Sequence, residues 1–280
     1  MELKAYAKIN LGLKILDKTS DGYHILDMVI LPISLCDDIK ITKRNDNIST
    51  VKVINNVELP VENSITKSIK LMQEKYGFNN GFDVEIEKNI PTQAGMGGGT
   101  ADAAEILKAI NVLMDINVPI NELEDVAMKV GSDVVYSLYS TLSRVQGKGE
   151  ILTKITKYFK YPILIVKPKS GIKTKECFEL YKKENDNIPL NVIDKLIDSL
   201  EKDLVIVRKY AKNSLLKPAT KLAPIINKII RTLLEKNIDL IQMSGSGSTI
   251  YAIDKDENKL REVYELIKDE YSFVGIYKTI

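Results

Sequence analysis

Histidine and cysteine are scarce in this chain of 280 residues, which has one histidine, His24, and two cysteines, Cys36 and Cys177. A single imidazole excludes metal sites built on several histidines, and a Ser-His-Asp triad would have to use His24. The two cysteines are far apart in the sequence, and neither lies in a Cys-x-x-Cys pair. This argues against a disulfide framework or a cysteine metal site and favours a reducing cytoplasm.

Long apolar runs and an excess of one charge are also missing. The sequence has no stretch of about eighteen uncharged apolar residues and begins without the apolar run of a signal peptide, so we expect no membrane span. With 40 basic and 38 acidic residues the net charge is +2, which argues against a nucleic-acid partner. The hydrophobic share of 44% is typical of a soluble globular protein with one large domain or two ordinary ones.

The hydrophobic periodicity of the first half predicts an α+β fold with a mixed sheet. Strands are expected over residues 3–15 with a break at Gly12, and over residues 26–35, 38–43 and 82–88. Helices are expected over residues 63–73 with Asn63 as the cap, from Ala101 onward, and over residues 121–130. The last of these strands alternates apolar and charged residues, which is typical of a half-buried strand in an antiparallel or mixed sheet.

The second half changes character near Tyr161, where an apolar strand follows. Two long amphipathic helices are expected over residues 190–212 and 222–236, and a β-β-α-β order follows over residues 240–243, 249–253, 257–268 and 273–278. That order is typical of part of a ferredoxin-like sandwich. We therefore predict two domains, residues 1–158 with a mixed sheet and helices, and residues 159–280 with a ferredoxin-like α/β sandwich.

The sequence GMGGGT at residues 95–100 leads into a predicted helix. Glycines let the backbone approach a phosphate closely, and a helix start supplies N–H groups and a partial positive charge. A tight turn without a ligand is the structural alternative, but so many glycines are costly in conformational entropy. A Walker A loop is excluded because no lysine precedes Thr100. A dinucleotide fingerprint is disfavoured because Thr100 takes the third glycine position and the preceding strand alternates in polarity.

Two further segments have both a structural and a functional interpretation. Lys8 and Asn10 share one face of a strand, where they would bind a phosphate or a substrate hydroxyl, or would form an ordinary solvent-facing edge. Tyr23 and His24 follow Asp21-Gly22, which reads as a turn between strands. The pair would be a simple exposed turn or a platform on which a ring-containing ligand stacks.

Two more segments leave the same choice open. Asp133 follows Gly131-Ser132 at a predicted helix start, where an aspartate is a cap or, within reach of a hydroxyl, a general base. The sequence SGSGS at residues 244–248 lies between two predicted strands. It would be a hairpin loop or would close over a ligand.

Taken in order, AKINLGL, PTQAGMGGGTADAA and MSGSGST resemble the GHMP kinase superfamily, which uses its own glycine-rich loop in place of a Walker A loop. DGYH at residues 21–24, GSDV at 131–134 and QGKGE at 146–150 are similar to the motifs of members whose acceptor bears a cytidine diphosphate. The resemblance covers nearly the whole chain. It implies a two-domain kinase with ATP and substrate in the cleft between the domains.

The resemblance implies that ATP, with Mg²⁺, phosphorylates the 2-hydroxyl of 4-diphosphocytidyl-2-C-methylerythritol, a step of the non-mevalonate isoprenoid pathway. The implied partner is this small molecule, and we expect a monomer or weak homodimer. The resemblance implies that Asp133 is the base that takes the hydroxyl proton and that Lys8 orients this hydroxyl and stabilises charge. It leaves the metal ligands open. The implied phosphate-binding residues are Pro91, Thr92, Gln93, Ala94, Gly95, Met96, Gly97, Gly98, Gly99, Thr100 and Ala101.

The resemblance also implies how the acceptor is held. Tyr23 and His24 would hold the cytosine, Phe178 would form the second face of an aromatic sandwich, and Asn10 would contact the substrate. Kinases of the same superfamily for mevalonate, phosphomevalonate or homoserine are the nearest alternative, but their substrates have no nucleobase to stack on DGYH. A catalytically silent sensor of the same fold is a second alternative, which the retained pair of Lys8 and Asp133 disfavours.

Overall fold

The computed structural model describes residues 1–20, 22–55 and 57–280. Asp21, the first residue of the expected Asp21-Gly22 turn, therefore lies outside the described residues. The chain folds into two compact units. Unit 1 comprises Met1–Ala7, Leu35–Ile90 and Gly97–Ser140, and unit 2 comprises Lys8–Ser34, Pro91–Met96 and Thr141–Ile280. The expected domain boundary at residue 158 stays a prediction.

The described residues form ten strands and ten α-helices. The strands are β1 (Glu2–Lys18), β2 (His24–Lys43), β3 (Thr50–Val53), β4 (Phe82–Glu87), β5 (Ser143–Gly147), β6 (Ile151–Lys154), β7 (Pro162–Lys167), β8 (Leu240–Met243), β9 (Ile250–Ile253) and β10 (Phe273–Lys278). The helices are α1 (Ser64–Tyr76), α2 (Gly98–Leu113), α3 (Glu124–Val130), α4 (Ser132–Tyr139), α5 (Thr174–Glu179), α6 (Val192–Ser199), α7 (Leu204–Tyr210), α8 (Leu216–Leu222), α9 (Ile225–Glu235) and α10 (Glu257–Ile267). Among the helices of these described ranges, none is long and apolar enough to cross a membrane.

The sheet of unit 1 is mixed, as predicted. Strand β4 pairs in antiparallel fashion with the last part of β2 and in parallel with β3. The alternation of β4 buries Phe82, Val84 and Ile86 and leaves the acidic residues between them outside the core. The apolar faces of α1 and α2 pack against these side chains, so periodicity in strand and helix produces one hydrophobic core.

Helix α1 begins as the sequence predicts. The Asn63 side chain accepts hydrogen bonds from the N–H groups of Ile65 and Thr66, and the Thr66 hydroxyl accepts one from the N–H of Asn63. This reciprocal capping box satisfies N–H groups that a helix start leaves without an intrahelical acceptor. The helix ends at Tyr76, three residues beyond its expected end, and Gly77, with a left-handed φ of 70°, is its C-cap.

The C-terminal sheet of unit 2 has the strand order β10–β7–β9–β8, with every neighbouring pair antiparallel. Helices α5 to α9 connect its first strand, β7, to its second, β8, and α10 connects β9 to β10. This is the strand order of a ferredoxin-like sandwich, which confirms that prediction. Elsewhere in unit 2, the first part of β2 pairs with β5, and β5 pairs with β6.

Some expected boundaries are wrong. Strand β1 runs through Gly12 without a break, and the two strands expected over residues 26–43 form the single strand β2. Gly12 packs closely, since a Cβ there would lie 2.5 Å from a terminal carbon of the Leu196 side chain. The long helix expected over residues 190–212 is divided into α6 and α7, because the Asp203 side chain caps a new helix by accepting from the N–H of Val205.

Candidate functional site

Lys8 and Asn10 lie on the same face of β1, as their spacing predicts. Both are buried, with 7% and 1% of their surface exposed, so the solvent-facing alternative is wrong. Lys8 Nζ donates to Asn10 Oδ1 at 2.7 Å, and Asn10 Nδ2 donates to the sulfur of Met28 at 3.3 Å. A buried ammonium beside an oriented amide is a suitable place to bind an anionic or hydroxyl-bearing group.

The glycine-rich loop over residues 244–248 connects β8 to β9 and also contacts the segment at Gly95. The Ser244 hydroxyl donates to the Gly95 carbonyl oxygen at 2.9 Å, and the N–H of Asn10 donates to the Ser244 hydroxyl at 3.4 Å. Gly95 has a φ of 71°, and a Cβ on it would lie 2.3 Å from the Ser244 carbonyl oxygen. This hairpin loop therefore forms one wall of the region that holds Asn10.

Asn213, which the sequence did not single out, fixes this loop. Its side-chain amide donates to the carbonyl oxygens of Met243 and Gly245, both at 2.9 Å, and its own oxygen accepts from the N–H of Leu215. A buried amide with its hydrogen-bonding groups used in this way holds the backbone rigidly. A lone asparagine in a polar stretch offers little sequence signal for such a role.

In unit 1, Gly97 to Ala101 form the start of α2. Gly97 has a φ of 71°, and α2 begins at Gly98, three residues before its expected start. The Thr100 hydroxyl and the N–H of Ala101 both donate to the Gly97 carbonyl oxygen, at 2.8 and 2.9 Å. Since the first N–H groups of a helix have no intrahelical acceptor, this turn presents donors of the kind that bind phosphate.

A buried cluster of charged residues in unit 1 lies beside this helix start. Lys88 donates to Asp37 and, at 2.5 Å, to Asp102, and all three side chains are buried. Asp37 also accepts from the N–H groups of Asn89 and Ile90 at 2.6 and 2.7 Å. Burial, together with the nearby Asp37, raises the pKa of Asp102, while Lys88 opposes that rise. Lys88 and Asp102 flank the glycine segment in sequence, so their ion pair fixes its two ends.

The sequence has a signal for this cluster that lies outside the motifs described above. Lys88 continues the inward face of β4, two residues after Ile86, and a lysine at an inward position needs a buried anion. Asp102 likewise falls among the buried alanines of α2. A charged residue at an apolar position therefore indicates a buried ion pair, but the sequence does not show which residue is its partner.

Asp133 lies in the first turn of α4, not at its cap, since the N-cap is Gly131. The side chain is half-buried, and the backbone oxygen of Asp133 accepts from the Ser137 hydroxyl at 3.0 Å. A negative charge interacts favourably with the N-terminus of a helix. Burial and the charge of Asp133 together raise the pKa of Tyr136, which is buried behind it in the same helix.

Aromatic rings of unit 2 gather around the single histidine. The ring of Phe178 stacks on His24 with centroids 4.9 Å apart, and Tyr181 meets it edge-on at 6.0 Å. These rings line a cavity of about 480 Å³ whose rim includes Lys18. Burial and the charge of Lys18 lower the pKa of His24. Tyr23 is 62% exposed. The structure thus brings together His24 and Phe178, which lie far apart in sequence.

Tyr23 makes a separate contact in unit 2. The ammonium of Lys148, in the QGKGE segment, lies 4.7 Å from the centroid of the Tyr23 ring. A cation over an aromatic face is a favourable arrangement that holds the ring in place. Tyr23 and Lys148 therefore connect two of the motifs on which the family resemblance rests.

Comparison with known sequences places these features in a family. Residues 63–141 match the GHMP kinases N terminal domain, and residues 195–272 match the GHMP kinases C terminal domain. A relative from Thermoanaerobacter pseudethanolicus is 37% identical over 283 residues, which cover 100% of this chain and 96% of the relative. One from Clostridium beijerinckii is 35% identical over 286 residues, with 100% of both covered. Both relatives are named 4-diphosphocytidyl-2-C-methyl-D-erythritol kinase.

Solved structures agree with this placement. A crystal structure of 4-(cytidine 5'-diphospho)-2C-methyl-D-erythritol kinase has a TM-score of 0.81 and 25% identity, with 100% of this chain and 99% of that chain covered. Homoserine kinase from Cytophaga hutchinsonii shares the fold with a TM-score of 0.75 at 17% identity, covering 100% of this chain and 94% of that one. The expected α+β fold of a two-domain kinase is confirmed. The chain belongs to the GHMP kinases.

Proposed function

We propose that the chain transfers the γ-phosphoryl group of ATP to the 2-hydroxyl of 4-diphosphocytidyl-2-C-methyl-D-erythritol. The observation that carries this proposal is the stacking of Phe178 on His24 at 4.9 Å, beside a cavity of about 480 Å³. Flat rings at a cavity suit a nucleobase, whereas mevalonate, phosphomevalonate and homoserine have no ring to stack. The names of full-length relatives at 35% and 37% identity support the same acceptor.

ATP is the proposed donor, and residues 91–101 are proposed to bind its phosphates. Gly95 and Gly97 both have a φ of 71°, a conformation that residues with side chains disfavour and that glycine adopts readily. The first turn of α2 adds N–H donors and the positive end of the helix dipole. Mg²⁺ arrives with the triphosphate as part of the substrate, because this ion keeps several waters and is held largely by phosphate oxygens.

Asp133 is the proposed general base and Lys8 the proposed group that stabilises charge. The proton of the 2-hydroxyl goes to the Asp133 carboxylate as the oxygen forms a bond to the γ-phosphorus. The bond between that phosphorus and the β,γ-bridging oxygen breaks, and ADP leaves. Because such a transition state is loose, catalysis depends mainly on positioning and charge stabilisation. A buried ammonium such as Lys8, oriented by Asn10, supplies that stabilisation, and Asn10 is proposed to contact the acceptor.

Tyr23, His24 and Phe178 are proposed to hold the cytosine. Tyr23 is 62% exposed, and the Lys148 ammonium lies 4.7 Å from the centroid of its ring. The lowered pKa of His24 keeps its imidazole neutral near pH 7. One ring nitrogen is then a donor and the other an acceptor, which matches the amino donor and ring acceptors of cytosine.

The proposal also covers the domains, the cellular compartment, the oligomeric state and the pathway. Residues 1–158 would form the domain with the ATP segment and catalytic residues, and residues 159–280 the domain that contributes Phe178. Both cysteines are free thiols, which favours the cytoplasm. We propose a monomer or weak homodimer without a nucleic-acid partner, since the net charge is +2. The reaction would belong to the non-mevalonate route to isoprenoids.

A coupled assay of ADP release tests the proposal. The purified chain is supplied with MgATP and, in separate reactions, with the diphosphocytidyl acceptor, mevalonate or homoserine. We expect turnover with the diphosphocytidyl acceptor and a kcat/KM for it far above those for the other two. Turnover with mevalonate or homoserine alone would assign the chain to another kinase of the family. ATP binding without turnover of any acceptor would support the sensor alternative.

A further inference from the structure

A buried carboxylate, Asp186, lies behind the aromatic rings of unit 2. Its Oδ2 accepts from Lys14 Nζ at 2.9 Å, from the Ser214 hydroxyl at 2.6 Å and from the Tyr181 hydroxyl at 3.0 Å. Its Oδ1 accepts from the N–H of Ile188 at 3.1 Å. The side chains of Lys14 and Asp186 are only 5% and 4% exposed. Such a pair is stable only when its geometry is good and its remaining hydrogen-bonding groups are satisfied, as they are here.

These bonds join three separate segments of unit 2. Lys14 belongs to β1, and Ser214 also pairs with β1, since its N–H donates to the Leu13 carbonyl and its hydroxyl accepts from the N–H of Ile15. Tyr181 and Asp186 belong to the segment that follows α5. The carboxylate therefore fixes that segment to β1, independently of the exposed side chains around it.

One end of the Tyr181 side chain is thereby held in place. Its hydroxyl bonds to Asp186, and its ring meets His24 edge-on, with an angle of 87° between the planes. Phe178, three residues earlier, stacks on the same imidazole with an angle of 30° between the ring planes. The positions of both rings relative to His24 depend on how the chain after α5 is fixed.

We propose that Asp186 is a positioning residue for the nucleobase site: by holding the Tyr181 hydroxyl and the segment after α5, it sets the arrangement of Phe178 and Tyr181 around His24. The identity of the ligand, a cytidine diphosphate group, rests on the proposed function. The ring arrangement itself does not. Loss of the negative charge leaves the buried ammonium of Lys14 without a counter-charge and weakens the hydrogen bond to the Tyr181 hydroxyl, so the rings take up positions that fit a base less well.

Nuclear magnetic resonance of the single histidine tests the positioning directly. The chain has one imidazole, so the ring C–H signals of His24 are assigned without ambiguity, and they respond to the ring currents of Phe178 and Tyr181. We expect Asp186→Asn and Tyr181→Phe to shift these signals. The matched control is Asp254→Asn. Asp254 is also a buried aspartate paired with a lysine in unit 2, and its partner, Lys259, does not line the cavity.

Ligand binding tests the consequence. Calorimetric titration with cytidine 5'-diphosphate should give a dissociation constant about tenfold higher in Asp186→Asn, because the displaced rings stack less well on the base. In steady-state assays the KM for the diphosphocytidyl acceptor should rise, while kcat and the KM for ATP stay close to wild type. A merely structural role would instead lower stability and change both KM values together.

The outcomes separate this inference from the proposed function. If the His24 signals of Asp186→Asn and Tyr181→Phe coincide with those of the wild type, Asp186 does not position the rings and the inference is overturned. If Asp186→Asn does not fold, Tyr181→Phe decides, because it removes only the hydroxyl. If the signals shift but the wild type neither binds cytidine 5'-diphosphate nor uses the acceptor, the proposed function fails while the positioning role of Asp186 stands.

Discussion

The Ser244 hydroxyl donates a hydrogen bond to the backbone carbonyl of Gly95 at 2.9 Å, although the two residues are 149 positions apart. Gly95 has a φ of 71°, and a Cβ on it would lie 2.3 Å from the Ser244 carbonyl oxygen. The segment that we propose to bind phosphate is therefore fixed by a backbone contact that leaves no room for a side chain at Gly95.

Replacing Gly95 by alanine should lower the free energy of unfolding more than the same change at Gly77. Both glycines have a left-handed backbone conformation, but a Cβ on Gly77 would have no atom within 4 Å. Gly77→Ala therefore measures only the backbone strain, about 1–2 kcal/mol. Gly95→Ala adds the displacement of the Ser244 backbone. Urea unfolding of both variants measures the difference, and equal losses would show that the contact with Ser244 is not tight.

Asp133→Asn should abolish turnover and leave ATP binding largely intact. The amide cannot take the hydroxyl proton, and loss of a general base typically costs about 10²–10⁴-fold in rate. Asp125→Asn, at an exposed position in the first turn of α3, is the matched control. Steady-state ADP release and calorimetric titration with ATP give the two quantities. Undiminished turnover in Asp133→Asn would remove Asp133 from its proposed role.

Tyr23→Ala should weaken the diphosphocytidyl acceptor but not ATP. Loss of a stacked base costs about 1–3 kcal/mol, which appears in the KM for the acceptor. Tyr158→Ala is the control, since Tyr158 is also largely exposed, at 68% against 62% for Tyr23. The KM values for both substrates are measured for each variant. Equal rises for acceptor and ATP would mean that Tyr23 does not stack on the cytosine.

The imidazole of His24 should titrate below its ordinary pKa of 6.5, because burial and the charge of Lys18 lower that pKa. Lys18→Met should raise the midpoint, and Lys183→Met, which removes another lysine at the cavity, is the control. The single set of histidine signals gives the midpoint directly. A lowered pKa also means that the free energy of unfolding falls as pH drops below 6.5, since the unfolded chain takes up the proton first. A midpoint at or above 6.5 would contradict this account.

Local patterns predicted much of the fold and part of the site. The period of two in β1 placed Lys8 and Asn10 on one face, and the Asn63 cap gave the start of α1. The glycines between residues 95 and 99 permit close approach of the backbone to another group. Their clustering is visible in the sequence itself. These features depend on neighbours in the chain, so they are visible without the fold.

The missed features depend on partners distant in sequence. Lys88 was visible as an inward lysine, but its pairing with Asp37 and Asp102 follows from how β2 and α2 lie beside β4. Asp186 lies in an irregular polar stretch, and its role comes from Lys14, 172 residues away. Local periodicity has no information about such pairs, because tertiary packing determines which buried charges meet.

Phosphorus magnetic resonance of the reaction product tests the central proposal most directly. The purified chain is incubated with MgATP and 4-diphosphocytidyl-2-C-methyl-D-erythritol, and the product is examined for a new phosphomonoester signal. Carbon 2 of the acceptor has a methyl group and no hydrogen, so a phosphate on its oxygen has no three-bond coupling to a proton. We predict one new uncoupled phosphomonoester signal, formed together with ADP. A signal split by neighbouring protons, or ADP without a new phosphomonoester, would contradict the account.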